Sequence, residues 1–200
     1  MRAQWALAPT AAALEPAEAA VWRLDAATSR PIETILARYL RTTSPSVTLR
    51  RSSTGKPEVD GSSHRVSLAH SGDVALVAVA RERDVGVDVE RPRVGADTWS
   101  LISHALTERE RASLDAFPAT ERSAAFLSIW TRKEALLKAV GAGLSLDPQL
   151  IELDGCAIVA VPPELGRADD WTLVDLPVPG YAAALALTGP VSRLLLYDAR

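Results

Sequence analysis

Val85-Gly86-Val87-Asp88-Val89-Glu90 and, about forty residues later, Trp130-Thr131-Arg132-Lys133-Glu134-Ala135-Leu136-Leu137-Lys138 are the two stretches from which this chain can be read. In the first, valines alternate with Gly86, Asp88 and Glu90, and a period of two puts alternate residues on one side of a strand. Two carboxylates therefore share a face. In the second, Trp130, Glu134 and Lys138 recur every four residues of an apolar-periodic helix and stack along one side of it. If strand and helix meet, three carboxylates and an ammonium gather in one place. An all-oxygen set of that kind suits Mg²⁺, which keeps several waters and commonly takes further ligands from substrate phosphates.

The rest of the composition bounds what such a site can serve. Two hundred residues, 48% of them hydrophobic, can fill the core of one large domain or two small ones. The single cysteine, Cys156, excludes an intrachain disulfide framework and fits a reducing compartment; its apolar surroundings read as structural. A net charge of −3 offers no general attraction for nucleic acid or anionic membrane, so phosphate binding has to be local. Glu15 and Glu18 interrupt the Ala-rich N-terminus, no leader is expected, no stretch reaches membrane-spanning length, and the expected location is the cytoplasm. Of 22 basic residues only Lys56, Lys133 and Lys138 are lysines, and each falls in a segment singled out here.

Outward from the two stretches, the pattern predicts an α/β (α+β) chain of two similar halves, with antiparallel sheets packed against helices. Residues 1–19 read as an unpatterned extension, 20–93 as an N-terminal half and 94–200 as a C-terminal half. Strands are expected near 21–24, 65–70, 74–80, 84–90, 151–153, 171–175, 182–188 and 193–198. Helices are expected near 32–41, 108–117 and 120–139, the last closed by Gly141 and Gly143. Thr54-Gly55-Lys56-Pro57 reads as a turn. A faint repeat relates Gly72–Val79 to Gly180–Leu187.

Three ordered segments, Gly55-Lys56-Pro57 through Leu68-Ala69-His70-Ser71-Gly72-Asp73, then Gly86–Glu90, then Trp130–Lys138, resemble the 4′-phosphopantetheinyl transferases. The likeness is to the larger pseudo-dimeric type that activates peptide and polyketide synthase carrier proteins, and it runs from about Val21 to the end. It implies transfer of the phosphopantetheine arm of coenzyme A, the co-substrate, to a serine of an apo acyl or peptidyl carrier protein, with release of adenosine 3′,5′-bisphosphate. It implies Asp88, Glu90 and Glu134 as ligands for Mg²⁺, or for Mn²⁺, which hard oxygen ligands suit equally. Glu134 matches the base proposed for the serine, directly or through water, and Lys138 the residue that stabilises the phosphates. Standing alone, Lys138 reads as an i,i+4 partner of Glu134 worth about 0.2–0.5 kcal/mol.

The same resemblance implies coenzyme A contacts at His70, Ser71, Lys56 and Arg30, and a monomer in which the second half stands in for a partner subunit. A satisfied structural histidine is the plain alternative for His70, and an exposed turn lysine for Lys56. Ala69 departs from the family, many members of which carry a hydroxyl there, and the region before Arg30 lacks the usual charged run. A non-catalytic module that binds coenzyme A or a carrier is the rival reading, and a Mg²⁺-dependent phosphohydrolase a third. Phe126 and Trp130 are expected in the core.

Overall fold

A computed structural model describes residues 4–53, 55–92 and 104–199. Thr54 of the expected turn and the 93/94 junction of the expected halves lie outside the described residues. The described strands are β1 (Ala6–Leu7), β2 (Glu18–Asp25), β3 (Leu49–Arg51), β4 (Pro57–Val59), β5 (His64–Ser71), β6 (Val74–Arg81), β7 (Val85–Glu90), β8 (Glu152–Asp154), β9 (Ala157–Ala160), β10 (Trp171–Asp175), β11 (Ala182–Thr188) and β12 (Arg193–Asp198). The helices are α1 (Pro31–Leu40), α2 (Glu108–Asp115) and α3 (Ala119–Val140). No described helix is long and apolar enough to cross a membrane.

The continuous apolar run of β6 marks it as a strand buried on both faces. Its even positions, Leu76 and Ala78, meet Val85, Val87, Val89, Leu185 and Leu187. Its odd positions, Ala75, Val77 and Val79, meet Ile35, Leu36 and Tyr39 of α1. The molecule is therefore layered as α1, a seven-stranded sheet ordered β1-β12-β2-β6-β5-β4-β3, a three-stranded sheet ordered β10-β11-β7, and α3. Each sheet supplies the apolar face its neighbour needs.

The structure departs from the sequence reading at four points. The large sheet is mixed, because β12 pairs in parallel with β2 and β1 in parallel with β12. β7, grouped by sequence with the N-terminal half, has its ladder with β11, so it holds in the second sheet the place that β2 holds beside β6 in the first. The N-terminal segment, read as an unpatterned extension, packs onto the rest of the molecule: Leu14 is buried, Trp5 Nε1 donates to Pro177 O at 2.7 Å, and Ala12 N–H donates to Arg38 O at 3.1 Å. Cys156 is likewise exposed and free in the β8–β9 turn, since only one face of that small hairpin is covered.

The sheets are joined along one edge by side-chain hydroxyls. Ser67 Oγ accepts Val87 N–H at 3.1 Å, and four residues on, Ser71 Oγ accepts Arg91 N–H at 3.0 Å. Ser67→Ala leaves the buried Val87 N–H without this acceptor and should cost about 1–3 kcal/mol in urea unfolding. An unchanged midpoint would mean that the joint is not held there.

Helix α3 is anchored from behind by Lys133, whose fully buried Nζ meets Glu110 Oε2 at 2.6 Å, Ala105 O at 2.8 Å and Pro148 O at 3.0 Å. Glu110 also closes a capping box with Thr107 at the start of α2 and accepts Leu153 N–H at 3.0 Å. A buried charge is tolerated when it is fully hydrogen-bonded in this way.

Candidate active site

Gly86, Asp88 and Glu90 face α3, and cross-strand from them stand Ala186, Ala184 and Ala182. These small residues let the helix lie close to the sheet. A Cβ on Gly86 would fall 2.5 Å from Ala139 N and closer still to Ala135 O. The strand–helix approach that the sequence left conditional is thus made, and it brings Asp88 onto the helix face that carries Glu134 and Lys138.

Lys138 Nζ lies 2.7 Å from Asp88 Oδ1, so its ion pair is across to the strand, not along the helix to Glu134. Asp88 is 4% exposed. Burial pushes its carboxyl up to about 7; the Lys138 ammonium opposes this, and the charges of Glu134 and Glu90 add to it. Burial raises Glu134 as well, again opposed by Lys138 and assisted by Glu90. Asp88 Oδ2 and Glu134 Oε1 are buried and find no hydrogen-bond partner among the described residues. Orphaned carboxylate oxygens are costly in a low dielectric unless a cation is supplied. This donor set fits a hard divalent ion. The carboxylates are not gathered into a ready-made three-ligand cluster among the described residues; the third, Glu90, accepts a 3.0 Å hydrogen bond from Ser71 Oγ.

Next to this pair lies a cleft of about 540 Å³, walled by the start of α1, the β3–β4 hairpin and the end of α3, with Lys138 on its surface. Lys56 lines it too, although its ammonium is committed to Ala139 O and, at 3.2 Å, to Asp84 Oδ1. Burial lowers the pKa of Lys56, and the Asp84 carboxylate opposes that effect.

The other residues singled out by sequence are more scattered. Ser71 sits between Glu90 and the Arg91 amide, whereas His70, next to it at the end of β5, is exposed. Arg30 donates to Glu33 Oε1 at 3.1 Å and to Val47 O at 3.2 Å, at the edge of the cleft. Phe126 is buried and stacks with Trp130 at 6.4 Å, as core packing requires.

Sequence reasoning passed over Arg51, which lines the cleft and donates to Gly55 O at 3.1 Å. The adjacent arginines Arg50-Arg51 were the available signal. It also passed over Tyr181, whose hydroxyl bonds with the Asp73 carboxylate and holds the Ser71-Gly72-Asp73 turn from the other half of the molecule. Nothing local to either residue announces that contact.

Residues 84–186, from the foot of β7 into β11, match the model of the 4′-phosphopantetheinyl transferase superfamily. The chain is 32% identical over 163 residues to the 4′-phosphopantetheinyl transferase HetI of Nostoc sp., an alignment covering 79% of this chain and 68% of that protein. It is 38% identical over 91 residues to the 4′-phosphopantetheinyl transferase AcpT of Salmonella typhimurium, covering 44% of this chain and 46% of the relative. With the phosphopantetheinyl transferase of Thraustochytrium sp. identity is 28% over 179 residues, covering 76% and 62%. The matched stretch contains the strand, the helix and the cation between them, and the chain belongs to the 4′-phosphopantetheinyl transferase superfamily.

Proposed function

We propose that this protein transfers the 4′-phosphopantetheine arm of coenzyme A to a serine of an apo acyl or peptidyl carrier protein, releasing adenosine 3′,5′-bisphosphate, and that it works in the cytoplasm as a monomer. The observation that carries the reading is the pair of buried, unpartnered oxygens, Asp88 Oδ2 and Glu134 Oε1, beside a cleft that shares Lys138. Asp88, Glu134 and Glu90 would hold Mg²⁺, which when bound neutralises and polarises the pyrophosphate; Mn²⁺ suits the same oxygens.

The chain's own residues supply the rest. The reaction forms a bond from the serine oxygen to the phosphorus that bears the pantetheine arm and breaks that phosphorus's bond to the bridging oxygen. The negative charge leaves on the adenosine bisphosphate. Glu134 takes the serine proton through a water, a role helped by the burial that raises its pKa. Lys138 reaches from Asp88 into the cleft to hold the phosphates. His70, exposed at the end of β5, contacts a phosphate; Ser71 acts through Glu90; Arg30 meets the nucleotide by giving up its contact with Glu33.

The test is incubation of the purified protein with coenzyme A, Mg²⁺ and a panel of apo carriers, followed by intact-mass measurement with and without chelator. A gain of one phosphopantetheine that chelator abolishes is expected. Coenzyme A binding with no gain on any carrier would favour a binding module, and free phosphopantetheine without a carrier would favour a hydrolase.

A further inference from the structure

We propose that Lys56 is a positioning residue that caps helix α3 from the other half of the molecule and thereby sets the cleft. A helix leaves its last four carbonyls without intrahelical partners. At the end of α3, Leu137 O accepts Ala142 N–H at 3.0 Å and Lys138 O accepts Gly141 N–H at 3.2 Å. Ala139 O instead accepts from Lys56 Nζ, a group 83 residues away in sequence. An ammonium at the negative end of a helix is favourable electrostatically as well as by hydrogen bonding.

The cap is built to stay. The Lys56 side chain is only 11% exposed, and Asp84 Oδ1 steadies its Nζ at 3.2 Å. Its backbone is pinned to Ser52 in both directions: Lys56 N–H donates to Ser52 Oγ at 3.0 Å and Lys56 O accepts Ser52 N–H at 2.9 Å. Lys138 immediately precedes Ala139, and Lys56, Lys138, Gly141 and Gly143 line the same cleft. The cap therefore fixes the last turn of α3, with its phosphate-holding lysine, against the β3–β4 hairpin opposite. Without it the turn frays and the cleft wall moves.

The ligand part of this inference rests on the coenzyme A reading, so the test has one arm with ligand and one without. In the ligand-free protein, Lys56→Met should lower hydrogen-exchange protection of the Gly141 and Ala142 amides about tenfold, leaving β6 amides unchanged, and Lys56→Arg should restore part of it. By titration calorimetry, Lys56→Met should weaken coenzyme A and 3′-dephospho-coenzyme A by the same factor, about tenfold, with the salt dependence of coenzyme A affinity unaltered. Unchanged protection at 141–142, or a loss confined to coenzyme A with a flattened salt dependence, would overturn the cap and make Lys56 a direct phosphate contact. Wild-type protein that binds no coenzyme A would sink the transferase reading and leave the exchange arm to decide the cap.

Discussion

Gly86→Ala is expected to slow carrier modification by about 10²-fold while most of the fold survives. The added Cβ has nowhere to go, since it would sit 2.5 Å from Ala139 N and closer to Ala135 O, and both are backbone atoms of α3. A rotamer change cannot relieve a clash with main chain, so the helix itself must move. Lys133 resists that movement from the opposite side, through three buried contacts. Overpacking of this kind costs about 1–3 kcal/mol. The larger effect falls on function, because a displacement of about 1 Å between reacting groups can cost about 10²-fold in rate. Here the displaced segment carries both Glu134 and Lys138, and Gly86→Val should be worse on both counts. Carrier-modification rates and thermal melting of the two variants test this. A Gly86→Ala enzyme with near-normal turnover would mean that the strand–helix spacing is not what holds the site together.

Asp88→Asn should remove transfer by about 10³-fold or more and, in metal-free protein, raise stability above neutral pH. The sign follows from the direction of the shift. Folded Asp88 titrates at about 7 because it is buried, against an ordinary 3.8. Between those values the folded state holds a proton that the unfolded chain has released, so stability falls as pH rises through the window and stays low above it. The loss is of the order of a few kcal/mol, at about 1.4 kcal/mol per unit, and the rise at Glu134 acts in the same direction. The amide of the variant has no such ionisation, so the stability difference between variant and wild type should widen from about pH 4 to about pH 7. Excess Mg²⁺ should narrow it again by binding only the folded wild type. Urea unfolding with chelator and with Mg²⁺ across that range decides the matter; parallel pH–stability curves for the two proteins would show that Asp88 is not the strained group.

Much of this molecule was legible before it folded, wherever the signal was local. Alternation in 85–90, the apolar run of 74–81, four-residue spacing in 119–140 and Gly141 at positive φ each fix a backbone state within a few residues, and those elements lie where the pattern puts them. The candidate residues were legible for the same reason: Asp88 with Glu90, and Glu134 with Lys138, are periodic within single elements. Which element each side chain answers to was not legible. The patterning of β7 and β12 says that they are half-buried strands, yet nothing in it says that β7 pairs with β11 or that β12 runs parallel to β2.

The same limit explains the contacts that no local pattern announced. Lys138 answers to Asp88 rather than to Glu134, Lys56 to the carbonyl of Ala139, and Trp5 to Pro177, because each contact spans from 50 to 172 residues of chain. Cys156 looked interior because its neighbours are apolar, but a two-stranded hairpin covers only one of its faces. From the residues alone, then, the elements, the family and the candidate groups of the site could be read. Tertiary structure alone decided the pairing of the sheets and the contacts of each charge, because long-range partners are selected by burial and shape across the whole molecule, and no short window of residues contains that information.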